Sequence, residues 1–168
     1  METVTIKTLG VVLSGGAGSR LNGVDKGLQP FDGKPLVEHV INSLSSQTDS
    51  LVICANRNIN TYELFGYPVI KDLSQTSYEG PLAGINAAIS LVMSCEQFSS
   101  VKRILIAPCD APKVPNDYYQ RLAKIKAPVA YVHDGERKQN LHGLIARSQW
   151  PSLQAFYNTG GRAIHRWY

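Results

Sequence analysis

A near-continuous apolar run, Leu9-Gly10-Val11-Val12-Leu13, leads directly into Ser14-Gly15-Gly16-Ala17-Gly18-Ser19-Arg20-Leu21-Asn22-Gly23-Val24-Asp25-Lys26. A strand without polar alternation is buried on both faces, and such strands belong to sheets covered by helices on each side. The loop that follows packs four glycines among one arginine, one aspartate and one lysine. Glycine lets the backbone take positive φ and approach a ligand closely, so several N–H groups can converge on anionic oxygens. Arg20 and Lys26 would neutralise what those amides hold. The plainer alternative is a solvated surface loop. Its place beyond a buried strand, where open α/β sheets bind their ligands, favours a polyphosphate cradle instead.

Two common phosphate motifs do not fit. Gly16-Ala17-Gly18 is followed by Ser19-Arg20-Leu21, without the third glycine of a dinucleotide fingerprint. Gly33-Lys34 has Pro35 where a P-loop needs serine or threonine, and Gly27 lies one residue too far upstream.

The 168 residues suit one compact domain. With 17 basic and 13 acidic residues, the net charge of +4 suits a handler of anionic small molecules. It is too mild and too dispersed to predict a nucleic-acid partner. Three cysteines, Cys54, Cys95 and Cys109, lack paired spacing and predict neither disulfides nor a zinc site, so they are read as buried free thiols. Met1 to Thr8 alternates polar with apolar, and no apolar run approaches bilayer length, which predicts a cytoplasmic protein without a membrane partner.

Along the chain, strands alternate with helices. Lys34-Pro35 is expected to open a helix whose Leu36, Val37, Val40, Ile41 and Leu44 form one apolar stripe, leaving His39 exposed. Leu51–Ala55 reads as a second buried strand, which places Asn56 at its carboxyl end, either as a turn former or facing the same crevice as the glycine loop. Tyr67-Pro68-Val69-Ile70 is short and β-prone, its proline marking an edge or the start of a strand, and it leads to Asp72, a helix or turn cap or a ligand to a sugar hydroxyl.

Gly80-Pro81-Leu82-Ala83-Gly84 starts a helix with a bare N-terminus suited to an anion or a base carbonyl; Gly84 could equally serve close packing. Arg103–Ala107 is a third buried strand, and Asp110, between Pro108 and Pro112, is held rigidly enough to serve a hard divalent cation. A helix from Asn116 to Lys124, strands at Val129–His133 and Leu141–Ala146, a turn at Asp134-Gly135 and a helix from about Pro151 complete the pattern. The fold predicted is α/β: a Rossmann-like, doubly wound, mostly parallel sheet with helices on both faces.

A cradle with Arg20 and Lys26, facing a metal-binding aspartate, suits phosphoryl or nucleotidyl transfer. An attacking phosphate is already largely anionic at neutral pH, so positioning and charge neutralisation would suffice. The combination of LSGGAGSR, Gly23-Val24-Asp25-Lys26-Gly27, Ala55-Asn56-Arg57, Gly80-Pro81-Leu82-Ala83-Gly84 and Pro108-Cys109-Asp110-Ala111-Pro112 closely resembles the molybdenum cofactor guanylyltransferases. The resemblance runs from about Leu9 to about Trp167.

It implies a nucleotidyltransferase that takes GTP and Mg²⁺, attaches GMP to the terminal phosphate of molybdopterin and releases pyrophosphate. It also implies cofactor-donating and accessory proteins of the same pathway as partners. Carried over by motif, Arg20, Lys26 and Asp110 are the catalytic set, with Asp110 the metal ligand. Leu13, Ser14, Gly15, Gly16, Lys26, Asn56, Asp72, Gly80, Gly84 and Asp110 are the nucleotide-binding set. Gly23 and Arg162 are candidates for molybdopterin.

Two departures from the family pattern stand out. Cys54 replaces an asparagine that helps hold the base, and a thiol lacks an amide's paired donor and acceptor. The chain stops at Tyr168, before the family's Asn-x-Asn-Thr-Pro segment and final helix, so the expectation is a single domain over residues 1–168 without that C-terminal segment. The rival readings are a cytidylyltransferase for the same cofactor, which typically has alanine at the position of Gly15, a sugar-1-phosphate nucleotidyltransferase, and a GTP-binding module without catalysis.

Overall fold

The computed structural model describes residues 7–15, 23–72 and 79–168. Its centre is a sheet of six strands: β1 (Lys7–Leu13), β4 (Ser50–Cys54), β5 (Val69–Ile70), β6 (Val101–Pro108), β7 (Val129–His133) and β8 (Lys138–Ala146), in the order β5-β4-β1-β6-β8-β7. The first four run parallel, while β8 pairs antiparallel with both β6 and β7. The mostly parallel sheet is therefore as expected, and the tight turn at Asp134-Gly135 is what reverses β8. Asp134 accepts from the amides of Glu136 and Arg137 and from Gln139 Nε2. Led by the Arg137 and Glu136 amides, these bonds hold its carboxyl down at about 2.

The central strands bury both faces because their apolar residues divide by parity between two cores. Leu9, Val11 and Leu13 of β1, Val52 and Cys54 of β4, and Ile104 and Ile106 of β6 face α3 (Pro81–Ser94), α5 (Trp150–Asn158) and α6 (Ile164–Trp167). Val12, Leu51, Ile53, Leu105 and Ala107 face α1 (Leu36–Ser45), α2 (Ile59–Glu63) and α4 (Tyr118–Ala123). This is the doubly wound arrangement expected, with β5 at the predicted edge.

Lys34-Pro35 departs from expectation. It forms a short strand, β3, paired antiparallel with β2 (Pro30–Phe31), and α1 begins one residue later with Pro35 as its N-cap. His39 is half-buried rather than exposed: its ring lies edge-on to Phe31, with Nε2 2.6 Å from the Phe31 carbonyl. The Pro30–Pro35 hairpin folds back over the helix, which the helical stripe alone could not show. Among the described residues no helix is long and apolar enough to cross a membrane.

Candidate nucleotide site at the carboxyl edge

The register of the parallel strands assembles the site. Leu13 pairs with Cys54 on one side and Pro108 on the other, and Cys54 pairs with Ile70. Gly15, Asn56, Asp72 and Asp110 each lie two positions beyond these rungs, so they emerge side by side from four strands. Backbone bonds carry the ladder past its end: Ser14 N donates to the Cys54 carbonyl, Ala55 N to that of Ile70 and Cys109 N to that of Leu13. The loops therefore leave the sheet from fixed positions.

On one flank Asn56 and Asp72 hold each other. Asn56 Nδ2 donates to Asp72 Oδ2 at 2.6 Å, and Asp72 N donates to Asn56 Oδ1 at 3.0 Å. A Cβ built on Gly15 would stand 3.5 Å from Asn56 Nδ2, so Gly15 borders this pair directly. On the other flank Lys26 Nζ lies 3.7 Å from Asp110 Oδ2, with both side chains roughly half exposed. Lys26 heads a short 3₁₀ turn, Lys26–Leu28, capped by Asp25, whose carboxylate accepts from Gly27 N. The pair brought together here was predicted from motifs more than eighty residues apart in the chain.

The other predicted residues are placed as follows. Leu13 and Ser14 are buried at the mouth of β1. Gly16 and Arg20 lie outside the described residues. Gly80, at φ +82°, is the N-cap of α3, with Pro81 in the first turn. Gly84 has a packing role: a Cβ there would come within 3.2 Å of Cys54 Cβ and 3.3 Å of a Leu13 methyl, so glycine lets α3 settle onto β1 and β4.

Cys54 belongs to the same packing. It is buried, its Sγ donates to the Gly84 carbonyl at 3.3 Å, and burial together with the Asp72 charge pushes its thiol up to about 12. Cys54 and Cys109 are the buried free thiols expected, whereas Cys95 is only partly buried.

Gly23, at φ +79°, is exposed, and its carbonyl accepts from Arg57 Nη1 at 2.6 Å. Arg162 is already engaged. Its guanidinium stacks 4.4 Å over the Tyr157 ring and pairs with Glu79 at 3.3 Å, while the Tyr157 hydroxyl donates to the other Glu79 oxygen. This brace sits against the start of α3, so Arg162 borders the site with its charge opposed.

Three residues of the site were not singled out by the sequence reading: Asp25 as a buried anchor, and its donors Asn58 and Tyr62. Asn58 caps and Tyr62 lies on α2, a five-residue helix too short to leave an apolar stripe. His142 lies nearby, edge-on to Tyr118; burial lowers its imidazole below the ordinary range, against the opposing Asp110 charge.

The chain is similar to proteins of known name and structure. A Cupriavidus metallidurans protein named molybdenum cofactor guanylyltransferase is 41% identical over 167 residues, covering 94% of this chain and 78% of that one. The crystal structure of molybdopterin-guanine dinucleotide biosynthesis protein A from Archaeoglobus fulgidus superposes with a TM-score of 0.68 at 24% identity, covering 95% of this chain and 77% of that one. A Mycobacterium tuberculosis protein solved in complex with manganese shares the fold, with a TM-score of 0.62 at 14% identity over 88% of this chain and 75% of that one. Residues 10–168 match the family described as MobA-like NTP transferase domain, and the chain belongs to that family.

Proposed function

We propose that this protein transfers GMP from GTP to the terminal phosphate of molybdopterin, releasing pyrophosphate and forming the guanine dinucleotide cofactor. The observation that carries this reading is the convergence of Gly15, Asn56, Asp72 and Asp110 at one sheet edge with Lys26 across from Asp110. In the reaction an oxygen of the acceptor phosphate bonds to the α-phosphorus of GTP. The bond from that phosphorus to the bridging oxygen breaks, and pyrophosphate leaves with the electron pair.

The acceptor phosphate, with a second pKa near 6, is largely dianionic at pH 7, so no side chain need take a proton from it. The protein's part is to align and to neutralise. Lys26 is half exposed and, among the described residues, paired with Asp110 by a weak surface pair, so its ammonium can turn onto the triphosphate. Arg20 is assigned the departing pyrophosphate, and Asn56 with Asp72 the nucleoside.

Asp110 is the residue for a divalent cation, Mg²⁺. Among the described residues no three His, Cys, Asp or Glu side chains converge into a metal cluster. A single half-exposed carboxylate nevertheless fits, because Mg²⁺ is commonly held by one or two carboxylates and completed by phosphates and water. When bound, the ion supplies charge neutralisation to the triphosphate.

The deciding experiment is GTP- and Mg²⁺-dependent pyrophosphate release in the presence of molybdopterin-loaded carrier protein. Release with formation of the guanine dinucleotide is expected; GTP binding without release would support a nucleotide-binding module instead. Gly15→Ala adds a methyl at ordinary contact distance from Asn56, so the fold should keep it while the base pocket shrinks. The ratio of kcat/KM for GTP over CTP is expected to fall roughly tenfold, as one carbon in a fitted pocket costs. An unchanged ratio would mean that the base is read elsewhere.

A further inference from the structure

Beneath Lys26 lies a buried carboxylate that the transfer chemistry does not use. Asp25 is 9% exposed. Its Oδ1 accepts from Tyr62 Oη at 2.7 Å and Gly27 N at 3.2 Å, and its Oδ2 accepts from Asn58 Nδ2 at 2.9 Å. None of these donors is a cation. A carboxylate withdrawn from water is costly unless its lone pairs are filled, and here three neutral donors fill them.

Two of the three donors come from one segment, Asn58 to Tyr62, and Tyr62 is fully buried. Burial, reinforced by the hydrogen bond to Asp25, pushes its phenol far above the ordinary range, so it remains a donor at any working pH. The adjoining Arg57 donates to the carbonyls of Gly23 and Val24. The chain is thus gripped just before Lys26 by Arg57 and just after it, at Gly27, by the Asp25 carboxylate.

Gly27 shows how closely the turn is seated. A Cβ there would fall 2.5 Å from Tyr62 Oη and 3.2 Å from Cys109 Sγ, so the turn rests on Tyr62 and on the neighbour of Asp110. From this anchored turn Lys26 projects toward Asp110. A lysine is a point charge on a flexible stem, and its aim depends on where its backbone is fixed.

We propose that Asp25, held by Tyr62 and Asn58, is the positioning residue for Lys26, fixing the turn from which the ammonium meets the triphosphate opposite Asp110. The proposal rests on the reading of Lys26 as the phosphate-neutralising lysine.

Tyr62→Phe removes one hydroxyl and keeps the ring; Asp25→Asn keeps the shape and removes the charge. Each is made in the wild-type and in the Lys26→Ala background. The readouts are GTP affinity by calorimetry, the single-turnover rate of GMP transfer with enzyme in excess, and the thermal midpoint.

With Lys26 present, Tyr62→Phe is expected to slow transfer by about ten- to thirtyfold while GTP affinity changes less than about threefold. In the Lys26→Ala background it should slow transfer no further. Equal losses in both backgrounds, or a lower thermal midpoint with an undiminished rate, would overturn the proposal. Wild-type transfer by Lys26→Ala alone would instead overturn the reading of Lys26, and is seen before any Tyr62 variant is made. If Asp25→Asn does not fold, the Tyr62→Phe cycle decides by itself.

Discussion

Asp110→Ala is expected to lower metal-dependent GMP transfer by on the order of a thousandfold while leaving the thermal midpoint within about a degree of wild type. The two halves of this result have separate causes. Asp110 lies beyond β6, with its side chain 48% exposed, and it forms an ion pair with Lys26 at 3.7 Å. An exposed pair of that length contributes about 0–1 kcal/mol to stability, so the fold has little to lose.

The reaction has much to lose. The triphosphate brings several negative charges against an acceptor that is itself anionic, and removing the carboxylate also removes the anchor for the cation that would offset them. The measurement is the single-turnover rate across a Mg²⁺ titration, beside a melting curve. Near-normal activity at low Mg²⁺ would sink the assignment of Asp110 as the metal ligand.

Trp150→Ala is the counterpart: a large effect on stability with chemistry spared. Trp150 is fully buried in the core on the α3 side of the sheet, among Ile104, Ile106, Ile145 and Leu153. Emptying such a site costs about 3–5 kcal/mol, or a midpoint lower by roughly 10 °C for a domain of this size. Its indole Nε1 is buried and has no hydrogen-bond partner among the described residues, so the residue serves by its volume. Trp150→Phe is therefore expected to cost far less than alanine, about 1 kcal/mol. Urea unfolding of both variants checks the ranking.

The position of Trp150 explains why activity should survive in the folded fraction. The preceding Arg147 donates to the Ser99 and Val101 carbonyls, and its guanidinium lies 5.2 Å over the Trp150 ring. Val101 opens β6, whereas Asp110 lies beyond its other end. Trp150 thus anchors α5 at the amino edge, a strand's length from the site.

Much of this architecture is legible in the sequence because it is encoded locally. Val11, Val12, Ile53, Leu105 and their neighbours form runs too apolar for a half-exposed strand, which requires helices on both faces. Asn56 and Asp110 rank as edge residues because each follows such a run, and Asp72 because it follows a short β-prone segment; parallel strands bring their carboxyl ends together. Pro81 marked the start of α3 through the missing N–H of its ring.

Other features depended on partners far along the chain. The Tyr62 hydroxyl meets Asp25 across 37 positions, and Arg162 pairs with Glu79 across 83. In the sequence Asp25 was one more charge in a glycine loop and Arg162 a surface cation after two glycines. In the sequence Cys54 reads as a departure from a base-holding asparagine and Gly84 as either a ligand contact or a packing glycine; α3 resting on β1 and β4 through Gly84 and Cys54 shows the packing. Hydrophobic period and turn chemistry thus determine the strands and the sheet edge from sequence alone, and the family enters through the resemblance of the quoted motifs. Only the tertiary structure decided which side chains share a hydrogen bond, which charge is buried and which glycine is there for packing, since those depend on surfaces that exist only once distant elements have met.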